Sequence, residues 1–101
     1  MTETDVIEKI EESTDIKIPK MYKVLLHNDN TTTADFVVAV LLRIFHRTLE
    51  DSMLVTQEVH ENGIGIAGSP YTHEVANEKV VETTSFSRLN NFPLVTTLEE
   101  I

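Results

Sequence analysis

The sequence contains no cysteine, which excludes disulfide bonds, thiolate metal sites and cysteine-based catalysis. It also lacks an apolar run long enough to cross a lipid bilayer. The opening residues, Met1-Thr2-Glu3-Thr4-Asp5, have neither the basic nor the apolar part of a secretory signal peptide. Together these absences lead us to expect a soluble cytoplasmic protein.

Basic residues are scarce as well, with 8 Lys and Arg against 17 Asp and Glu, and the formal net charge is -9. Nucleic-acid backbones and anionic membrane surfaces attract proteins rich in Lys and Arg, so we expect neither as a partner. An acidic chain of this kind suits a cationic ligand or a protein partner instead.

Motifs for catalysis and metal binding are missing too. The sequence has no glycine-rich phosphate loop, and no serine or threonine stands in a nucleophile elbow. The four histidines are not spaced as HxH or HExxH, so the spacing does not indicate a metal site. They are His27, His46, His60 and His73. The sequence therefore predicts a protein that is not an enzyme and needs no metal or cofactor.

The chain of 101 residues is long enough for one domain with one modest core. Hydrophobic periodicity predicts strands over residues 21–27, 64–68 and 93–98, helices over 33–47 and 48–61, and a third helix with Val75, Ala76, Lys79, Val80 and Thr83 on one side. Residues 80–86 are rich in β-branched side chains and suit either a helix or a strand. The predicted order is β-α-α-β-α-β, an α+β fold with a three-stranded antiparallel sheet packed against three helices.

The predicted helix ends rest on residues that favour caps. Thr32 and Thr48 can cap the first two helices, and Gly63 can end the second in a left-handed conformation. The third helix can begin at Ser69-Pro70 or at Thr72. Residues 1–20 are acidic and poor in large apolar groups, so we expect a flexible N-terminal extension before a core of residues 21–101.

The segment Asn28-Asp29-Asn30 joins the first strand to the first helix. All three residue types suit turns, and rigid elements on either side would hold their short polar side chains in place. Such a corner can be a small polar binding site, or it can be an ordinary strand-to-helix turn.

His60 lies late in the second helix, on one face with Met53 and Thr56. A histidine in this position is commonly a packed or surface residue with a local hydrogen bond. If it meets the Asn28-Asp29-Asn30 corner, the site combines a carboxylate, amide oxygens and an imidazole lone pair. These groups accept hydrogen bonds, so they suit a bound ammonium group.

Five segments of the sequence carry a resemblance to a known family. They are Met21-Tyr22-Lys23-Val24-Leu25-Leu26-His27-Asn28-Asp29, Asp35-Phe36-Val37, Val59-His60-Glu61-Asn62-Gly63, Glu74-Val75-Ala76-Asn77-Glu78-Lys79-Val80 and Phe92-Pro93-Leu94-Val95-Thr96-Thr97-Leu98-Glu99. Their order and spacing, over about residues 20–100, resemble those of the ClpS family. Members of this family are bacterial adaptors that deliver substrates with N-degrons to the ClpAP protease.

The resemblance implies roles for individual residues. ClpS proteins bind the free α-ammonium group of a substrate's first residue, and the matching residues here are Asn28, Asp29, Asn30 and His60. An apolar pocket takes the first side chain, typically Leu, Phe, Tyr or Trp, and its matching residues are Ala34, Val37, Thr56, Val59 and Leu94. A separate surface docks on the N-terminal domain of the ClpA unfoldase, and its matching residues are Glu74, Lys79 and Thr31. We expect such an adaptor to act as a monomer.

The chain departs from the family pattern at five positions, which are among these residues or next to them. Asn30 stands where the family usually has a second aspartate, and Thr31 replaces a common tyrosine on the ClpA-facing side. Thr33 stands where a proline is usual. Ala34 and Thr56 replace two methionines that usually line the pocket. These differences leave open whether the pocket is strict or relaxed in the residues it accepts.

Two other interpretations compete with the N-degron adaptor. Small acidic α+β domains also occur in ribosomal stalk proteins, which recruit factors, but that analogy explains neither the Asn28-Asp29 pair nor His60. Alternatively, His60 and Asp29 could form the acid-base pair of an enzyme. Binding of a peptide with a free N-terminal Phe, compared with its acetylated form, separates the adaptor from both.

Overall fold

The computed structural model describes residues 18–101, and within that range the chain forms three strands and three helices. They are β1 (Tyr22–His27), α1 (Ala34–Arg43), α2 (Leu49–Asn62), β2 (Ile64–Tyr71), α3 (His73–Leu89) and β3 (Val95–Glu100). The predicted order and α+β fold class are therefore confirmed. Most of the predicted N-terminal extension, residues 1–17, lies outside the described residues. Between residues 18 and 101, no helix is both long and apolar enough to cross a membrane.

Strand β1 occupies the centre of the sheet, whose order over the described residues is β2-β1-β3 with both pairings antiparallel. Leu26, for example, lies opposite Gly65 on one side and Thr96 on the other. Val24 and Leu26 are fully buried in the core, as expected for alternate residues of a strand that faces helices on one side.

The hydrophobic core lies between this sheet and the helices. It is formed by Val24, Leu26, Phe36, Val37, Val40, Leu41, Ile44, Phe45, Val55, Val59, Ala67, Ala76 and Leu94. Three aromatic rings meet at its side, with centroid distances of 5.1 Å between Phe36 and Phe86 and 4.5 Å between Phe36 and Phe92. Phe36 therefore joins the start of α1 to α3 and to the segment that leads into β3.

Helix α1 ends at Arg43, four residues before the predicted end. Ile44 and Phe45 continue the apolar periodicity and are buried, but they do so from the turn after the helix. His46 then takes a positive φ of 53°, which redirects the chain. The Ile44 carbonyl oxygen accepts a hydrogen bond from Lys79 Nζ at 2.7 Å. Tertiary contacts of this kind end the helix, and the hydrophobic periodicity of the sequence does not indicate them.

The caps mostly agree with expectation. Thr48 Oγ1 accepts a hydrogen bond from the Asp51 N–H at 3.1 Å, and Thr72 Oγ1 accepts one from the Val75 N–H at 3.3 Å. Gly63 ends α2 with φ 83°. The prediction for α1 was wrong by one residue, because Thr33 rather than Thr32 accepts the hydrogen bond from the helix, here from the Phe36 N–H.

Strand β2 runs to Tyr71, beyond the predicted end at residue 68, so Ser69-Pro70 does not begin α3. A proline is tolerated there because β2 is an edge strand and one side of it needs no ladder hydrogen bonds. Residues 80–86 are helical, which resolves the ambiguity of their β-branched composition. The last strand begins at Val95 rather than at residue 93, and Pro93 precedes it.

Arg47 secures the segment between α1 and α2 to strand β2. Its Nε donates to the Ala67 carbonyl oxygen at 2.6 Å, and its Nη2 donates to the Ile66 carbonyl oxygen at 3.5 Å. The pairing of β1 with β2 shifts register at this point and skips Ala67, which is fully buried. The guanidinium group therefore donates to a carbonyl at an irregular step of the sheet, where Ala67 has no partner residue in the register with β1.

We expect Arg47→Ala to lower the free energy of unfolding by about 1–3 kcal/mol, because a buried carbonyl loses its donor. Urea unfolding at fixed pH measures this loss. Arg43→Ala is the matched control, since Arg43 is exposed and lies 5.8 Å from the Phe86 ring centroid, a contact worth about 0.5–1 kcal/mol. An equal loss in both variants would show that the contact with β2 contributes little.

Candidate functional site

The corner after β1 is a turn organised by the Asp29 carboxylate. Asp29 Oδ1 accepts hydrogen bonds from the Thr31 N–H at 2.8 Å and the Thr32 N–H at 2.6 Å, while Oδ2 accepts one from Thr32 Oγ1 at 2.7 Å. Burial by itself raises the pKa of Asp29, but the hydrogen bonds from Thr32 and Thr31 outweigh it and lower the pKa below its usual value. The carboxylate is therefore held ionised by its own turn.

A backbone hydrogen bond ties this turn to the end of α2. The Asn28 N–H donates to the Gly63 carbonyl oxygen at 2.9 Å, and the Gly63 N–H donates to the Val59 carbonyl oxygen at 2.9 Å. Gly63 follows α2 directly, so Asn28 is held beside the last turn of the helix, where His60 lies. The structure thus brings together two segments that are about thirty residues apart in sequence.

A depression of about 40 Å³ lies where these segments meet. Its lining residues are Asn28, Thr32, Ala34, Val37, Thr56, Val59 and His60. Two of the residues matched to amine binding and four of those matched to the apolar pocket thus lie around one concave surface. Thr32 is the member that the sequence did not indicate, and the only available signal was its position between the corner and α1.

The apolar wall of the depression is fixed by its surroundings. Val37 and Val59 are 5% and 3% exposed, respectively, and belong to the core. Thr56 Oγ1 donates to the Ser52 carbonyl oxygen at 2.7 Å, so its hydroxyl group is already engaged within α2. Behind Val59 lies Gly65, where a Cβ atom would stand only 2.6 Å from Val59 Cγ2. Strand β2 and helix α2 are therefore in close contact, and the wall is supported from behind.

His60 is exposed at the rim of the depression, and among residues 18–101 its ring has no hydrogen-bond partner. The other predicted residues lie elsewhere around the corner. Asp29 forms the turn, and Asn30 is exposed and not among the lining residues. Leu94 is 2% exposed and packs within the core.

A second concave surface adjoins the depression, a groove of about 310 Å³ between α1 and α2. Its lining residues are Ala34, Asp35, Val38, Met53, Thr56, Gln57 and His60. Ala34, Thr56 and His60 line both the groove and the depression. The predicted common face of Met53, Thr56 and His60 is confirmed, although the sequence did not indicate that Val38 would lie opposite it.

The residues matched to unfoldase docking occupy different settings. Glu74 is exposed in the first turn of α3, near the start of β1, since the neighbouring His73 ring packs edge-on against Tyr22 at 5.1 Å. Lys79 is half-buried, with its ammonium group bound to the Ile44 carbonyl oxygen. Thr31 is exposed and follows the other end of β1. A surface containing all three would extend about the length of that strand, roughly 20 Å.

Within the described range, no three His, Asp or Glu side chains are grouped in a way that could hold a metal ion. The chemistry that the arrangement offers is recognition: hydrogen-bond acceptors from Asn28 and His60 stand beside an apolar wall, next to an ionised Asp29.

Comparison with known proteins gives a family for the chain. The family model for the ATP-dependent Clp protease adaptor protein ClpS matches residues 17–97. The ClpS adapter protein of Lawsonia intracellularis is 50% identical over 86 residues, covering 85% of this chain and 78% of that protein. The corresponding protein of Clostridium acetobutylicum is 40% identical over 98 residues, covering 97% and 96%.

A solved structure shows the same fold. Agrobacterium tumefaciens ClpS2 bound to L-phenylalaninamide superposes with a TM-score of 0.79 at 31% identity, covering 83% of this chain and all of that one. These matches give no support to the ribosomal-stalk interpretation. The chain belongs to the ClpS family and is an adaptor of the ATP-dependent Clp protease rather than an enzyme.

Proposed function

We propose that this adaptor binds proteins whose free N-terminal residue is bulky and hydrophobic, and delivers them to the ClpAP protease for degradation. The observation that carries the proposal is the depression, where Asn28 and His60 stand beside the apolar wall of Val37, Thr56 and Val59. The adaptor core is residues 21–101, and the protein acts in the cytoplasm as a monomer.

Recognition of a charged terminus follows from the groups that surround the depression. An α-ammonium group has three N–H donors, and the Asn28 amide oxygen and a His60 ring nitrogen can each accept one of them. Asp29 adds a negative charge at the same corner, because its turn keeps the carboxylate ionised. Asn30 is exposed on the same turn and supplies a neutral amide where a second carboxylate is usual.

The related ClpS2 protein supports the choice of ligand. Its structure contains L-phenylalaninamide, a molecule with a free α-ammonium group and a benzyl side chain. The same two features are the ones that a polar rim and an apolar wall can recognise. In this chain the polar rim sets the orientation, while burial of the side chain provides most of the affinity.

We expect a peptide with a free N-terminal Phe to bind at least about 100-fold more tightly than the same peptide after N-terminal acetylation. Acetylation removes the charge and two of the three donors, and hydrogen bonds to charged groups contribute about 1.5–3 kcal/mol each. Fluorescence anisotropy with the two labelled peptides measures the difference. Affinity for the free peptide should also fall above about pH 8, where an α-amino group loses its proton.

The acetylated peptide is the control for the pH series, because it has no amine to titrate. Equal binding of the two peptides would contradict the proposed function. Binding of the free peptide that stays constant well above pH 8 would contradict it as well, since the neutral amine would then suffice.

We propose that Glu74 and Thr31, together with the accessible part of Lys79, contact the N-terminal domain of ClpA. Five residues along a helix correspond to about 140° of rotation, so Glu74 and Lys79 lie on different sides of α3. Because Lys79 also binds the Ile44 carbonyl, its substitution would change the fold as well as the surface. Glu74 is thus the cleaner residue for testing this contact.

We expect Glu74→Gln to weaken binding to the isolated ClpA N-terminal domain by about fivefold or more, as loss of one interfacial charge-assisted hydrogen bond commonly does. Glu78→Gln is the matched control, because Glu78 is an exposed carboxylate one turn further along α3. Calorimetric titration of both variants measures the difference. An affinity of Glu74→Gln equal to that of the unmodified protein would remove Glu74 from the interface.

A further inference from the structure

A substrate whose first residue occupies the depression must lead its second residue out over a neighbouring surface. On the side of the corner, the groups that border the depression are bonded to one another. The Asn28 N–H donates to the Gly63 carbonyl oxygen, and the Asp29 carboxylate accepts from both the N–H and the hydroxyl group of Thr32. The corner therefore forms a closed rim.

On the side of the helices, short side chains stand between the depression and the groove. Ala34, Thr56 and His60 line both concave surfaces. The Ala34 side chain ends at its Cβ atom, and the Thr56 hydroxyl group is turned back onto the Ser52 carbonyl oxygen at 2.7 Å. The two surfaces are therefore continuous, and a chain that leaves the depression can enter the groove over Ala34 and Thr56.

The spacing of side chains along α2 matches the advance of a peptide. Thr56 and Met53 precede His60 by four and seven residues, or about 6 and 10 Å along the helix. An extended chain advances about 3.3 Å per residue. When the first ammonium group is at His60, the second residue therefore lies beside Thr56, and a side chain of the length of leucine can reach Met53.

The groove offers an apolar contact at that distance. Val38 on α1 is half-buried, and across the groove the Met53 side chain is 58% exposed. Covering apolar surface of this kind is favourable. A methionine side chain is also unbranched and flexible, so it can adapt to ligands of different shape. An aliphatic side chain between Val38 and Met53 would bury part of both, whereas the methyl group of an alanine would not reach them.

We propose that the groove is a subsite for the second residue of the substrate, where it favours a large aliphatic side chain between Val38 and Met53. These two residues determine specificity at the second position, while the depression receives the first side chain. The adaptor thus recognises two adjacent residues and not only the terminal one. This inference rests on the proposed binding of free N-terminal residues and adds a feature to the same substrates.

The test uses three peptides with a free amine that begin Phe-Ala-Ala, Phe-Leu-Ala and Phe-Ala-Leu and are otherwise identical. We expect Phe-Leu-Ala to bind about fivefold more tightly than Phe-Ala-Ala, because part of the leucine and of Met53 is buried. Phe-Ala-Leu should have no such advantage, since its leucine lies one residue beyond the groove. Fluorescence anisotropy measures all three affinities.

In Met53→Ala, we expect the advantage of Phe-Leu-Ala to fall below about twofold, with the affinity for Phe-Ala-Ala almost unchanged. Leu54→Ala is the matched control, because Leu54 is the next residue on α2, is 61% exposed and does not line the groove. It should retain the full advantage. Both side chains are largely exposed, so neither variant should unfold.

A variant on the opposite wall tests whether both helices contribute. Val38→Ala should also reduce the advantage of Phe-Leu-Ala over Phe-Ala-Ala. In the double variant with Met53→Ala, the reduction should be smaller than the sum of the two single effects, because both residues contact the same side chain. The ratio of two affinities within one variant also cancels any change in the fraction of folded protein.

Several outcomes would overturn the inference while leaving the proposed function intact. In all of them Phe-Ala-Ala binds, but leucine at the second position gives no advantage, or gives the same advantage in Met53→Ala, or gives it equally at the third position. If the unmodified protein binds none of the three peptides, the proposed function fails and the inference fails with it.

Discussion

Replacing Asp29 with alanine should lower the affinity for a free N-terminal Phe peptide by about 100-fold or more. The carboxylate holds the turn through three hydrogen bonds of 2.6–2.8 Å, and each hydrogen bond to a charged group is worth about 1.5–3 kcal/mol. Without them the turn that presents Asn28 to His60 loses its support, and the charge beside the ammonium group disappears. Anisotropy titration measures the affinity, and amide hydrogen exchange at Thr31 and Thr32 reports the turn.

Asp29→Asn is the graded control for this experiment. The asparagine oxygen can still accept from the Thr31 and Thr32 N–H groups, but its NH₂ group cannot accept from Thr32 Oγ1. We therefore expect an intermediate affinity and partly retained protection of the two amides. Alanine and asparagine variants that both bind like the unmodified protein would mean that neither the turn nor its charge matters for binding.

The lowered pKa of Asp29 determines how the stability of its turn depends on pH. The pKa of Asp29 is lower in the folded than in the unfolded chain. The stabilisation that the Asp29 carboxylate provides is therefore fully present at pH values above its pKa in the unfolded chain. This stabilisation is lost only as the pH falls through the pKa that Asp29 has in the folded chain. The turn should thus remain intact at mildly acidic pH, and a loss of peptide binding near pH 6 would have to come from a group other than Asp29.

The largest expected effect on stability belongs to Phe36. Phe36→Ala should lower the free energy of unfolding by about 3–5 kcal/mol, a substantial part of the about 5–15 kcal/mol typical of a domain. The ring is 8% exposed and contacts both Phe86 and Phe92, so its removal leaves a cavity between α1, α3 and the segment before β3. Urea unfolding monitored by circular dichroism measures the loss.

Phe36→Leu is the companion variant, because it keeps most of the volume and removes only the aromatic contacts. We expect it to cost less than about half as much as the alanine variant. Similar losses in the two variants would indicate that ring-to-ring contact, rather than filled volume, provides the stability. A loss below about 1 kcal/mol for alanine would mean that the core closes over the vacant space.

The sequence was sufficient to predict the element order because each element carries its own local signal. Alternation from Tyr22 to Leu26 indicates β1, and the caps at Thr48, Thr72 and Gly63 lie where the structure has them. Such signals depend on neighbouring residues only. They are therefore readable without knowledge of the tertiary contacts.

The errors arose where a distant or competing contact decided the outcome. Thr32 was predicted to cap α1, but its N–H and hydroxyl groups both bind Asp29, so the cap passes to Thr33. Ile44 and Phe45 fit the helical pattern yet lie in a turn whose end is fixed by Arg47 and β2. Propensity cannot indicate which of two satisfactory hydrogen-bond partners a side chain will choose.

The candidate site could be predicted only in part from local signals in the sequence. The polar corner and His60 are visible as residue types, but their meeting depends on the hydrogen bond from Asn28 to Gly63, which joins distant segments. The residue types indicate that such a site would suit an ammonium group, but its assignment to the α-amine of a substrate came from the family resemblance. The groove beside Met53 was missed because it exists only where Ala34 and Thr56, short residues on two different helices, face each other.

The central position of β1 has a consequence for synthesis on the ribosome. Its partner β3 is about seventy residues later in the chain, and His27 Nε2 lies 2.8 Å from Thr97 Oγ1 across that separation. β1 therefore emerges early and keeps one edge unpaired until β3 has followed. Unpaired, apolar strand edges can join other chains, so the nascent chain remains prone to aggregation at this edge until β3 is free to pair with β1.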